Sequence, residues 1–156
     1  FVGGYNMFTL GYLSRMFQGV EGFKGRRIIV VADGDVTPPF YKTFTATQSR
    51  VLAGLGAEKV VLVDPVALPQ NYRAFSNLDV LPCNIEDVPA PPKKFDVLVS
   101  SQFIGGPEWI EKVKKDSLFA IHLIQSMARL SDVQVHMSAN YEVLLSALSP
   151  DQLVRA

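Results

Sequence analysis

The sequence predicts an α/β fold, with a mostly parallel central sheet flanked by helices. Three observations predict it. Ile28-Ile29-Val30-Val31-Ala32, Val60-Val61-Leu62-Val63 and Phe95-Asp96-Val97-Leu98-Val99 are short, nearly continuous apolar runs. Strands buried on both faces of a sheet read this way. Between the first two runs lies a stretch with helical periodicity. The runs end in polar or turn-forming residues, most clearly Asp33-Gly34-Asp35-Val36-Thr37-Pro38-Pro39.

The elements follow in order. Residues 5–20 predict an apolar N-terminal helix: Met7, Leu10, Leu13 and Phe17 step by three, three and four, and Phe8, Tyr12 and Met16 add a second stripe. Such a helix packs against the sheet, or docks on another protein through Met7 to Val20. Gly19, Gly22 and Gly25 break it, and Lys24, Arg26 and Arg27 form a solvated strand entrance. After the first strand, Phe40, Phe44, Thr47, Val51 and Leu55 mark the buried face of an amphipathic helix, and Gly56 terminates it. The second strand ends at Asp64-Pro65, and a right-handed crossover joins it to the first.

Val66 to Asn77 is interrupted by proline and holds a short helix at 71–75. Asp79-Val80-Leu81-Pro82 is a weak third strand, and Asn84 to Lys94 is an acidic, then proline-rich connection. Phe95 to Val99 is the fourth strand, and Gly105-Gly106-Pro107 opens a helix to about Lys115. Leu118 to Leu123 reads as a fifth strand or as the start of a helix running to Leu130. Val133, Val135 and Met137 alternate with Gln134 and His136, which predicts a strand with His136 exposed on its polar face. Tyr141 to Leu148 either pairs with that strand or is helical.

At 156 residues the chain reads as one domain, 1–156. A chain of this length buries roughly 70% of its unfolded surface. Fifteen basic residues balance fifteen acidic ones, so no charge excess points to nucleic acid. One cysteine, Cys83, excludes an internal disulfide and a cysteine-based zinc site, and two histidines are too few for a His-rich metal site. No apolar stretch approaches the about 18 to 20 residues of a membrane span. The start at Phe1 rather than Met has two readings: a segment such as a targeting peptide was removed, which would make this an intracellular, mitochondrial protein, or the sequence simply starts there.

Ligands of open α/β sheets bind beyond the carboxyl ends of the strands, and there the sequence resembles a known family. Gly56-Ala57-Glu58-Lys59-Val60-Val61-Leu62-Val63-Asp64 resembles the second motif of class I S-adenosylmethionine-dependent methyltransferases, which have a Rossmann-like fold. Asn84-Ile85-Glu86-Asp87 resembles the third motif, and Lys94 to Ser101 the fourth. Together these span Arg26 to Ser101, about half the chain. The resemblance implies that Asp64 takes the ribose hydroxyls, Glu86 or Asp87 the adenine side, and the Asp33 to Asp35 loop, with Gly34 at its turn, the methionine end. Ser100 to Phe103 would line the acceptor.

The sequence departs from the family in two places. The first motif keeps a single glycine, Gly34, and sets Asp33 and Asp35 where the carboxylate of a methionine-type ligand would lie. Like charges there repel it. The fourth motif lacks the diprolyl element of amino-group methylating members: Ser101-Gln102-Phe103 stands in its place.

Each candidate also has a plainer reading. Asp64 caps a turn beside Pro65. Asp33 and Asp35 shape a turn, or hold a divalent ion with Asp64. Glu86 and Asp87 are a solvated loop. Ser100 and Ser101 lack a nucleophile elbow, with neither histidine expected near them. His122, among Ile121, Leu123 and Ile124, reads as a hydrogen-bonded core or edge histidine, and Trp109 as a packing residue. The expectation is a non-catalytic, methyltransferase-like accessory or structural subunit of a larger assembly, with no cofactor and with other protein subunits as partners. The alternative is an active methyltransferase using S-adenosylmethionine.

Overall fold

The computed structural model describes residues 4–33, 46–65, 75–101, 107–116 and 118–137. In chain order these form α1 (Gly4–Met16), a 3-10 turn (Val20–Phe23), β1 (Arg27–Val31), α2 (Thr47–Gly54), β2 (Lys59–Val63) and β3 (Leu78–Leu81). A 3-10 turn (Ile85–Asp87), β4 (Val97–Ser101), α3 (Pro107–Lys115), α4 (Phe119–Ala128) and β5 (Gln134–Met137) follow. The expected helices at 71–75 and around Phe40 and Phe44, and the segment Tyr141 to Leu148, lie outside the described residues.

The strands make one parallel sheet in the order β3-β2-β1-β4-β5. The chain builds outward from β1 through β2 to β3, then returns to β4 on the other side of β1. That reversal between β1 and β4 is the topological switch of a doubly wound sheet, the place where such folds bind ligands. The fold is therefore α/β and Rossmann-like.

Both faces of the sheet are covered, which explains the continuous apolar runs. Ile28, Val30, Val60, Leu62, Val97, Val99 and Val135 point into one layer with Leu13, Phe23, Leu52 and Ala53. Ile29, Val31, Val61, Val63 and Leu98 point into the other with Trp109, Ala120, Leu123, Ile124 and Met127. Each fully buried side chain of this size contributes about 1.5–3 kcal/mol. Trp109 is a packing residue, as expected, edge-on to Phe119 at a centroid distance of 6.3 Å.

Of the two readings of 118–130 the helix holds, as α4, with Ala120, Leu123, Ile124 and Met127 on its buried face. Three expectations change. His122, expected as a core or edge histidine, falls on the exposed side of α4. Leu123 and Ile124 beside it turn into the core instead. The buried face of α2 is Gln48, Ser49, Leu52 and Ala53, while Thr47, Val51 and Leu55 are half-buried. The Ser49 hydroxyl turns inward there because Asp33 receives it. In β5, His136 is not exposed, because α/β sheets bury both faces and alternation then says little about solvent.

The N-terminal helix packs on its own chain through fully buried Leu13, against α2, β4 and β5. Tyr12 and Val20 remain more than half exposed. Among the described residues no helix is long and apolar enough to cross a membrane. Gly56 ends α2 with φ +91°, the left-handed conformation expected of a helix terminator.

Candidate functional site

The site is built from the carboxyl ends of the strands. β1 stops at Val31 because Ala32 takes a left-handed conformation, φ +57°, while its amide still bonds Val63 O at 2.9 Å. That turn places Asp33 beneath the first turn of α2. The Asp33 carboxylate accepts the Ser49 amide at 2.7 Å, the Ser49 hydroxyl at 2.8 Å and the Gln48 amide at 3.4 Å. These are amides that a helix start leaves without internal partners, and the positive end of the helix dipole favours the charge. Asp33 thus caps α2 from outside the helix, filling the position where a helix N-terminus offers its amides to an anion.

Asp64 follows β2 directly, one register position short of Asp33 because Val31 pairs with Val63, and both carboxylates are buried. Burial raises the Asp33 pKa to about 6. The Ser49 and Gln48 bonds oppose that rise, and the charge of nearby Asp64 adds to it. The structure therefore brings Asp33 and Asp64 together. Glu86 and Asp87 are exposed on the turn beyond β3. Gly34, Asp35, Gln102 and Phe103 lie outside the described residues.

Ser100 is fully buried near the end of β4, and the expectation that no histidine approaches it is corrected. In the parallel register Ser100 faces His136 on β5. Its Oγ lies 2.6 Å from His136 Nδ1, and His136 Nε2 lies 2.8 Å from Gln134 Oε1. Gln134 Nε2 donates to Ile124 O of α4 at 3.0 Å. That last bond turns Oε1 toward the imidazole, so Nε2 carries the hydrogen and Nδ1 accepts the Ser100 hydroxyl proton. Burial pulls the His136 pKa down to about 4, so the ring is neutral at pH 7.

Arg129 is a second residue the sequence did not single out. Its Nη2 donates to Ile85 O at 2.9 Å, to Glu86 O at 3.2 Å and to Val88 O, and its Nη1 to Ser126 O and to Ser126 Oγ at 2.9 Å. It clamps the turn carrying Glu86 and Asp87 onto α4. Its turn partners lie more than forty residues away, so no local signal marks it. Arg129→Ala is expected to cost about 2–3 kcal/mol, since several bonds from one charged donor to the turn and to α4 are lost together. Urea unfolding measures this, and an unchanged midpoint contradicts the clamp.

Among the described residues no group of three or more His, Cys, Asp or Glu side chains could hold a metal ion. The α2 amides are taken by Asp33, and two buried carboxylates stand beside them.

No family model matches the chain, and no curated protein matches it in sequence. Its fold is similar to solved structures. One is from Listeria monocytogenes and is described as an S-adenosylmethionine-dependent methyltransferase: 17% identity, 60% of this chain and 43% of that one, TM-score 0.42. A second is an S-adenosylmethionine-dependent methyltransferase from Mesorhizobium loti: 17% identity, 59% of this chain and 41% of that one, TM-score 0.41. A third is a DhpI–SAM–HEP complex: 14% identity, 88% of this chain and 58% of that one, TM-score 0.49. The chain spans less than two thirds of the length of each.

Proposed function

We propose that this chain is a non-catalytic, methyltransferase-like subunit that works inside a protein assembly. The observation that carries the reading is the Asp33 carboxylate seated on the first-turn amides of α2. The chain supplies its own anion there. A ligand carboxylate would have to displace three hydrogen bonds and then sit beside Asp33 and Asp64. The spent hydroxyl of Ser100 supports the same reading, because its proton is given to His136 rather than offered to a ligand. Packing of the two apolar layers, not a bound cofactor, supplies the stability of such a domain.

One observation favours a second reading, an active methyltransferase using S-adenosylmethionine. Asp64 ends the strand next to the central one, at the rim of the crevice, where a carboxylate can accept two ribose hydroxyls. A thermal-shift series separates the two. Ligand at about a hundred times its dissociation constant stabilises a fold by about 2.7 kcal/mol. For a domain of this size that is a rise of roughly 5–11 °C. The subunit reading expects no rise with millimolar S-adenosylmethionine or its demethylated product. A rise of several degrees favours the enzyme.

A further inference from the structure

We propose that the Ser100–His136–Gln134 chain is an acid-released latch that holds β5 to the rest of the sheet. Three side chains link three elements: β4 through Ser100, β5 through His136 and Gln134, and α4 through the Ile124 backbone carbonyl that Gln134 reaches. Each bond has a fixed direction at neutral pH, running from the Ser100 hydroxyl to Nδ1 and from Nε2–H to Gln134 Oε1. A proton added at Nδ1 makes both ring nitrogens donors. Ser100 Oγ must then accept, and its own hydrogen loses its acceptor in a fully buried position.

Among the described residues, no charged group on the elements packed around His136 compensates. β4 carries no titratable residue. On α4 the titratable group is His122, which points to solvent, and Arg129 just beyond it is spent on the Ile85–Val88 turn. α1 packs on the opposite face of β5, where Val135 meets the layer of Leu13, and its Arg15 is exposed. Burial is the one cause of the shift at His136. Acid therefore favours the state in which β5 has left β4 and the imidazole is hydrated. Release leaves the ladder edge of β4 unpaired, a template for another strand.

The test is hydrogen exchange of the wild-type chain at pH 8 and pH 5, corrected for intrinsic amide rates. Opening of β5 is expected to rise about 30-fold at pH 5, while β1 and β2 keep their protection. His136→Asn places an amide oxygen near the Nδ1 position and cannot take up the proton, so β5 protection becomes independent of pH in this range. Equal protection of wild-type β5 at the two pH values, or the same rise in the variant, overturns the latch. A nuclear magnetic resonance titration of the wild-type ring gives an independent check if the variant does not fold. Protonation near pH 4 supports the proposal, and protonation near the ordinary value of 6.5 overturns it.

Discussion

Asp33→Asn is expected to make the protein lose about 3 kcal/mol of stability between pH 7 and pH 4 relative to wild type, and His136→Asn to do the opposite. The signs follow from the two shifts. The Asp33 pKa is raised from 3.8 to about 6, so between those values the folded chain binds the extra proton. Its contribution to stability is largest below pH 4 and falls as pH rises through 6. The His136 pKa is lowered from 6.5 to about 4, so there the unfolded chain binds the extra proton. Its contribution is full above pH 6.5 and is lost as pH falls through 4.

Each shift is worth about 3 kcal/mol, at 1.36 kcal/mol per unit. In the wild type they offset each other across the same window. Removing Asp33 exposes the loss at His136 on acidification. Removing His136 exposes the gain at Asp33. Urea unfolding at pH 4, 5, 6 and 7 on the three proteins measures this, with other carboxylates common to all three. Parallel profiles for wild type and both variants would sink the account of both buried groups.

Gly22→Ala is the second large effect. A Cβ at Gly22 would lie 1.8 Å from Phe17 O and 2.8 Å from Phe17 Cβ. The obstacle is backbone, so it cannot rotate away. Phe17 is also held from two sides, by the edge of Phe23 at 5.6 Å and by the Arg26 guanidinium over its ring at 4.9 Å. Arg26 Nε in turn donates to Gly22 O at 3.1 Å. The joint between α1 and β1 would have to open, moving Leu13 and Phe23 out of their layer. The expected cost is about 3 kcal/mol, near the upper end for overpacking. That lowers the melting temperature by roughly 6–12 °C. A change under 2 °C would show that the joint can shift freely.

Much of the fold was legible because parallel strands covered on both faces leave a direct trace. Ile28 to Val31, Val60 to Val63 and Val97 to Val99 are apolar at every position, and their shortness, β-branched content and polar or turn-forming ends favour a buried strand over a helix. The helical reading of 118–130 needed the partner layer: a run of apolar residues with one histidine fits either state until its neighbours are known. The inner face of α2 was misread for a polar reason. Periodicity looks for apolar residues, and Gln48 and Ser49 are buried instead, with the Ser49 hydroxyl on Asp33, a residue outside the helix.

The same limit hides the relay. Ser100 and His136 are thirty-six positions apart, and the β4–β5 register alone brings them together. Asp33 and Asp64 were legible as strand-end carboxylates. That Asp33 turns back to cap its own helix was not, since the turn depends on a left-handed Ala32 that the sequence does not announce.

The central claim is that the crevice at the ends of β1 and β2 is filled by the chain's own carboxylate. Isothermal titration calorimetry of the folded protein with S-adenosylmethionine and its demethylated product tests it most directly. The account predicts no binding heat at millimolar ligand. Saturable micromolar binding, abolished by Asp64→Ala in a variant that keeps its circular dichroism spectrum, would contradict it.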